Sequence, residues 1–537
     1  MIVKIKTSVL FLTLLMSVGI VHAEYFSNIR DQIGFEFIHN NGNSQNFYYP
    51  EIVGSGVALL DFDNDGDLDI YLIQSGEFEN NKRKDMLFEN QLNQEKSLSF
   101  KSKEHSFLNK SISYGIGITI GDVNNDGRQD IYLSNLKQNQ LLINKDGKGF
   151  NPLKIDEKQH MWSSGASFCD INNDGYKDLY VSNYVVWSAN NNPKCFNASS
   201  KQDYCGPSSF SGLKDSFYLN DKGKNFIEKT QQFFPKMPKM PGLNVVCNDI
   251  NNDGFSDFIV ANDGKENLVW LNQNGQSFKE AGMFSGLAVN AQGVSEASMG
   301  LAMSDYDLDG DLDVFFTHLM NESNTLYNNN GKGFFSDVTN RSKLSTQSYA
   351  YTGWAAGFLM VNNDIYPDLV VFNGAVADAS QKNKDQPSLK QANQLFLNAE
   401  NKVFSQIKDE KWLNEKAVSR GAAFGDIDND GDIDIVVNNN NGPADILINN
   451  LNPEKWLGIK IIDPENRSLK VELYNEKHAM RLNTNTDGSY ASAHDDRIVI
   501  NQAQIEYYKG IRIISNSTIL LEKPLIHNNK YTTIKIP

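Results

Sequence analysis

A nine-residue acidic pattern returns again and again along this chain. It reads "DFDNDGDLD" from Asp61, "DVNNDGRQD" from Asp122, "DINNDGYKD" from Asp170, "DINNDGFSD" from Asp249, "DYDLDGDLD" from Asp305 and "DIDNDGDID" from Asp426. A worn copy, "MVNNDIYPD", starts at Met360. Self-similarity at a period of tens of residues is the mark of a repeat architecture, in which no single unit can bury its apolar face alone.

The flanks repeat as well. A small, apolar run comes before each acidic stretch, as in "GSGVALLD", "GIGITIGD" and "GAAFGD". A β-rich run follows, as in "LDIYLI", "KDLYVS" and "IDIVVN". A third run ("QLLIN", "SFYLN", "NLVWLN") leads through a glycine-bearing turn to a fourth ("KGFNPL", "KNFIEKT"). No long stretch has helical periodicity. Four short strands in each of seven units predict an all-β fold, a seven-bladed β-propeller. The tail alternates apolar and polar residues and predicts a small C-terminal β domain.

Crowded carboxylates repel one another unless a cation sits among them. The pattern D-x-[DN]-x-[DN]-G-x-x-D offers side-chain oxygens at positions 1, 3, 5 and 9, and the glycine at position 6 permits the turn that gathers them. Oxygen donors in a flexible loop suit Ca²⁺ better than Mg²⁺. About six calcium sites are expected. Their side chains are Asp61, Asp63, Asp65 and Asp69; Asp122, Asn124, Asp126 and Asp130; Asp170, Asn172, Asp174 and Asp178; Asp249, Asn251, Asp253 and Asp257; Asp305, Asp307, Asp309 and Asp313; and Asp426, Asp428, Asp430 and Asp434. Position 7 can add a backbone carbonyl, and Asp67, Asp311 and Asp432 stand there as further candidates. The copy at Met360 lacks the first acid and carries Ile365 in place of glycine, so no tight site is expected there, although Asn362, Asp364 and Asp368 remain. The competing reading, acidic turns chosen for backbone reasons, accounts for Asp, Asn and Gly but not for the fixed 1-3-5-9 spacing.

The formal charge of −16 argues against a nucleic-acid partner. At the N-terminus Lys4 and Lys6 precede the apolar run "SVLFLTLLMSVGIV", and "VHA" suits cleavage after Ala23. This predicts a signal peptide over 1–23 and a secreted or periplasmic protein, with no transmembrane segment once the signal is removed. Of four cysteines, Cys195 and Cys205 form the expected disulfide; Cys169 and Cys247 either pair or remain two buried thiols.

The stretches "FEFIHNNG", "YYPEIVGSGVALLDFDNDGDLDIYL", "DYCGPSSFSGLKDSFYLN" and "SRGAAFGDIDNDGDIDIVVNNNNGPADILINN" resemble the FG-GAP/VCBS repeats of the integrin α-subunit propeller, and the order of landmarks resembles the cartilage acidic protein 1 family with its C-terminal ASPIC/UnbV domain. The resemblance implies a seven-bladed propeller over 24–452 with calcium in its blade loops, and a degenerate ASPIC/UnbV-like domain over 453–537. "KWLGIKI" and "DGSYASAHDDRIVI" are similar to parts of that domain, but "NQAQIEYYKGIRI" stands where a glycine-rich segment is expected.

Two functions follow as expectations. One is a calcium-binding propeller that engages a protein or a cell-surface glycan, as in adhesion. The other is an extracytoplasmic enzyme, a lyase, cyclase or isomerase, with its pocket on the propeller axis. For the second, His39 and Arg420 are the catalytic candidates, with Glu51 and Trp354 nearby in family-like stretches. No nucleophile elbow, phosphate loop or clustered histidine set is present, and His318 has no second histidine at metal spacing.

Overall fold

The computed structural model describes residues 24–76, 78, 85–103, 113–155, 161–197, 200–377, 389–465 and 467–537. The expected signal peptide lies outside the described residues. Strands dominate, and among the described residues the longest helix, Gln502–Tyr507, has six residues. Among the described residues no helix is long and apolar enough to cross a membrane.

Each repeat folds into a four-stranded antiparallel sheet. In the first, Val57–Leu60, Asp69–Leu72, Met86–Asn90 and Phe100–Lys103 lie in chain order. The second and third sheets join where Met161 and Trp162 pair with Lys137 and Leu136. The last sheet is built from both ends of the propeller: Ser419–Gly425, Asp434–Asn439 and Asp445–Asn449 take Phe26–Asn28 as their outer strand. The first strands of successive repeats stand side by side, and that of the last adjoins that of the first, so the ring closes. Radial closure leaves each inner strand's edge short and protected beside its neighbour.

The small residues before each acidic loop now have a reason. Inner strands converge on the axis, where space is least. A Cβ on Gly56 would lie 1.7 Å from the Ala491 carbonyl oxygen, and one on Gly421 would lie 2.6 Å from the Gly56 Cα. Between neighbouring sheets the core is aliphatic and aromatic; Val57, Leu59, Ile70 and Phe88 of the first pack on Ala423, Ile427, Val436 and Ile446 of the last.

The C-terminal region forms two small sheets. Leu457–Ile462 pairs with Ile498–Ile500 and, in parallel, with Tyr531–Lys535. Lys470–Tyr474 lies between Ala479–Leu482 and Gly510–Ser515. Between its strands a segment, Asp487–Ala493, leaves this unit and enters the propeller axis. The Ser489 carbonyl accepts from the Leu301 N–H at 2.8 Å, the Ala491 carbonyl from the Ile118 N–H at 3.0 Å, and the Ala493 carbonyl from the Leu59 N–H at 3.1 Å. Asp487 accepts from the Cys247 N–H at 2.9 Å and from the Ser167 hydroxyl. Tyr490, fully buried, packs edge-on against Trp354. The chain's own tail therefore enters the axis and hydrogen-bonds inner strands of several repeats there.

Both cysteine pairs are joined. Cys195–Cys205 closes a loop in the insertion of the third repeat, and Cys169–Cys247 ties the first strand of the third repeat to that of the fourth. The alternative left open for Cys169 and Cys247 resolves to a disulfide.

Candidate functional site

The acidic loops are built by one scheme. The position-9 aspartate opens the second strand in every repeat: Asp69, Asp130, Asp178, Asp257, Asp313, Asp368 and Asp434. One of its oxygens accepts from the position-2 N–H, as at Phe62 (2.9 Å) and Val123 (3.1 Å). The other accepts from the backbone of an asparagine that ends the third strand, or in Asn398 directly follows it, at 2.7–2.9 Å, in Asn90, Asn144, Asn220, Asn272, Asn329, Asn398 and Asn449.

The side-chain amides of those asparagines reach across to the preceding repeat. Asn144 donates to the Phe62 carbonyl, Asn220 to Val123, Asn272 to Ile171, Asn329 to Ile250, Asn398 to Tyr306 and Asn449 to Met360. Asn90 completes the circle by donating to Ile427 of the last repeat. Sequence reasoning passed over these residues, although the terminal "N" of "QLLIN", "SFYLN" and "NLVWLN" was their signal.

Elsewhere in the loop, position 1 receives the N–H groups of positions 5 and 6. Asp122, Asp170, Asp249, Asp305 and Asp426 all do this. Position 5 (Asp65, Asp126, Asp174, Asp253, Asp309, Asp430) accepts the position-7 N–H. The glycines at position 6 have φ of 81° to 97°, and position 4 is left-handed too. In the worn copy neither Asn363 nor Ile365 has positive φ, although Asn362, Asp364 and Asp368 keep their turn hydrogen bonds.

The copies divide into two groups. In the first, fifth and last, carboxylate oxygens converge: one each from Asp61, Asp63 and Asp65, from Asp305, Asp307 and Asp313, and from Asp426, Asp428 and Asp434, lies within 4.8 Å of the others. Oδ1 of Asp61, Asp63, Asp307 and Asp428 is buried without a hydrogen-bond donor. A buried carboxylate oxygen without a partner is costly, so these three loops fit a cation. Burial pushes Asp305 up to about 8 and Asp426 up to about 7, the neighbouring aspartates adding to the rise. In the loops from Asp122, Asp170 and Asp249, the amides of Asn124, Asn172 and Asn251 instead donate to Asp126, Asp174 and Asp253 at 3.0–3.1 Å. Those loops close on internal hydrogen bonds, with burial holding Asp130 at about 7 and pushing Asp178 and Asp257 well up. The position-7 aspartates are outside the convergent sets. Asp67 and Asp432 accept backbone N–H groups of Asn93 and Asn452, and Asp311 accepts the Asn252 amide of the adjacent loop.

The tail covers this face of the propeller. Arg481 donates to the Asp249 carbonyl at 3.0 Å, and its backbone N–H donates to Asp305 at 2.9 Å. Arg497 donates to the Asp426 carbonyl, and the Tyr531 hydroxyl to the Asp426 carboxylate, both at 2.8 Å. Lys460 Nζ is 3.6 Å from Asp61, and Lys402 Nζ, from the propeller, is 2.7 Å from Asp307.

The catalytic candidates His39 and Arg420 both lie buried in the interior. His39 is 1% exposed; its Nε2 meets the Ser55 and Ser75 hydroxyls, both at 3.0 Å, and its Nδ1 accepts the Asn441 N–H. Burial, with Arg420 adding to it, lowers its pKa to about 3. Arg420 donates to the carbonyls of Ile52, Gly374, Ser419 and Ala375 and lies 4.1 Å over the Trp354 ring. Glu51 accepts from Ser44 and from the Tyr204 hydroxyl. These groups brace loops around the axis.

Segments 61–133, 122–181, 249–316 and 361–437 match the FG-GAP-like repeat. No curated protein matches the chain. Among solved structures, a lectin from Agrocybe aegerita that recognises non-reducing terminal N-acetylglucosamine is 15% identical, with 68% of this chain and 84% of that one covered at a TM-score of 0.42. YCF48 bound to D1 peptide is 8% identical, with 75% and 94% covered and a TM-score of 0.42. The BBS1N complex with ARL6DN is 9% identical, with 74% and 94% covered and a TM-score of 0.41. With the ring of sheets and the repeated loops in place, the chain is an all-β propeller carrying four FG-GAP-like repeat segments.

Proposed function

We propose that this chain is an exported, seven-bladed propeller of the cartilage acidic protein 1 type that binds calcium in its blade loops and serves protein interaction. The observation that carries the calcium reading is the set of buried, donorless carboxylate oxygens in the first, fifth and last loops. A divalent ion there would satisfy the oxygens and relieve the repulsion among Asp61, Asp63 and Asp65, among Asp305, Asp307 and Asp313, and among Asp426, Asp428 and Asp434. The other three full copies are weaker sites on this reading, because their asparagine amides already close the loop.

The interaction reading draws on the fold, and fold alone does not name a partner. With the loop face covered by the tail, the opposite face, which carries the Cys195–Cys205 insertion, is the side left for a protein. The enzyme reading is weaker in its candidates: His39 and Arg420 are committed to structural hydrogen bonds, and Tyr490 of the tail is a buried packing residue.

The test is the melting temperature of the protein from Glu24 onward, in excess EDTA and then across a calcium titration, with magnesium as control. Calcium should raise Tm by at least about 5 °C, and magnesium by much less. Asp428→Asn and Asp307→Asn should each remove part of the rise, and Asn124→Ala should remove less. No rise, in a sample shown by metal analysis to be free of ions, would leave the loops as turns only.

A further inference from the structure

The outer flank between the fourth and fifth repeats holds a cavity of about 250 Å³ that the ion loops and the axis do not use. Its floor is Thr325 and Glu296, and the Thr325 hydroxyl donates to the Glu296 carboxylate at 3.0 Å. The Glu296 side chain is 10% exposed, and burial raises its pKa. Behind it His318 is buried and held neutral, its pKa lowered to about 4 by burial. Asp337 forms one wall, fixed by the N–H groups of Ala291 and Thr339 at 2.8 and 2.9 Å. Gln292, Asn340 and Tyr349 stand at the mouth, and Tyr349 is 51% exposed.

The chemistry of this lining narrows its occupant. Two carboxylates with no lysine or arginine among the lining residues disfavour phosphate, sulfate or any other anion. A lining of hydroxyls, amides and carboxylates disfavours an apolar ligand. Glu296 and Asp337 are only two carboxylates and belong to none of the convergent acidic sets, so the pair is poorly set to cage a metal ion. What remains is a ligand that both donates and accepts hydrogen bonds at several points. Its hydroxyls would donate to Glu296 and accept from Gln292 and Asn340. An exposed tyrosine at the rim offers a flat face to the C–H side of a sugar ring, and aromatic rings use such faces at wet, amphipathic contacts. The volume admits one pyranose ring.

We propose that this flank cavity binds a single residue of a neutral saccharide, with Glu296 and Thr325 as the hydrogen-bonding floor and Tyr349 as the stacking face. The proposal goes beyond the protein-interaction reading and rests only on the proposed export for access to extracellular glycans.

The test is calorimetric titration of the full chain, in calcium, with glucose, galactose, mannose and N-acetylglucosamine, and with glucosamine and putrescine as amine probes. At least one neutral sugar should bind with a millimolar Kd. Tyr349→Ala and Glu296→Gln should each weaken it by about tenfold or more, while the calcium-dependent Tm stays as in the parent chain. An unchanged calcium response with lost sugar binding shows both variants folded and keeps this test separate from the ion reading. Absence of neutral-sugar binding up to high millimolar concentration overturns the proposal. So does sugar binding that ignores both substitutions, and so does binding by the amine probes only, which would mark a cation site.

Discussion

At the residue scale, the asparagines at the end of each third strand are the clearest case of one side chain serving two repeats. Asn272 is 3% exposed; it donates to the carbonyls of Ile171 and Ser256 and accepts the Gly275 N–H. Asn272→Ala leaves two buried carbonyls and one half-buried N–H without partners and should cost about 3 kcal/mol by chemical denaturation, against less than about 0.5 for Gln273→Ala on the exposed side. The acids of the loops were legible in the sequence because they recur at a fixed spacing. The asparagines were marked by the letter that ends each third run, but their partner is a carbonyl in another repeat, which local reading does not name. Asp263 is a second residue that local reading could not find. It accepts from the Tyr184 hydroxyl inside the aromatic cluster, its other oxygen has no donor, and burial raises its pKa to about 7. An acid whose folded pKa is raised favours the folded state when protonated. Its stabilising effect is complete near pH 4 and is lost as pH rises through 7. At fixed calcium, Asp263→Asn should therefore flatten the fall in stability between pH 5 and 8. The change expected is up to one proton's slope, about 1.4 kcal/mol per pH unit. An unaltered slope would mean that the carboxyl is ionised throughout.

At the element scale, the strands and loops followed from alternation, turn residues and the acidic pattern, and each second strand does begin at position 9 as the spacing demanded. Two features escaped. The outer strand of the last sheet comes from Phe26–Asn28, far away in sequence, where three residues are too few to show a period. The pairing of Cys169 with Cys247 was equally open, since 78 residues separate them and only the ring brings the two inner strands together. That bridge is buried on both sides, whereas Cys195 is partly exposed in its loop. Mild reductant on the native protein should open Cys195–Cys205 first, as read by alkylation and mass spectrometry. Cys169→Ala with Cys247→Ala should lower stability by about 2 to 4 kcal/mol, because the bridge closes a long loop in the unfolded chain. If the buried bridge is reduced first, the inner strands open more readily than their burial allows.

At the scale of the whole molecule, the sequence suggested a propeller followed by a separate small domain, and the structure ties the two together. The tail segment hydrogen-bonds inner strands of several repeats, and Arg481, Arg497 and Tyr531 hold the loop face from outside. "DGSYASAHDDRIVI" is rich in small residues for the same reason that the inner strands are: both crowd the axis. The tail packs on the inner strands, and a cavity of about 210 Å³ lies between the two, lined by Ala302, Ala356 and Phe424 of the ring and by Asp487, His494 and Asp495 of the tail. The energetic consequence is cooperative unfolding. Tyr490 is wholly buried against Trp354 at a ring distance of 4.7 Å, so Tyr490→Ala removes a core side chain shared by tail and ring and should cost about 3 to 5 kcal/mol. Calorimetry of the parent chain should then give one transition, with the loss in Tyr490→Ala appearing in that same transition. Two separated transitions, with only the smaller one moved by the substitution, would show instead that the tail docks on a ring already stable without it. The space at the axis would then be open to another occupant whenever the tail withdrew.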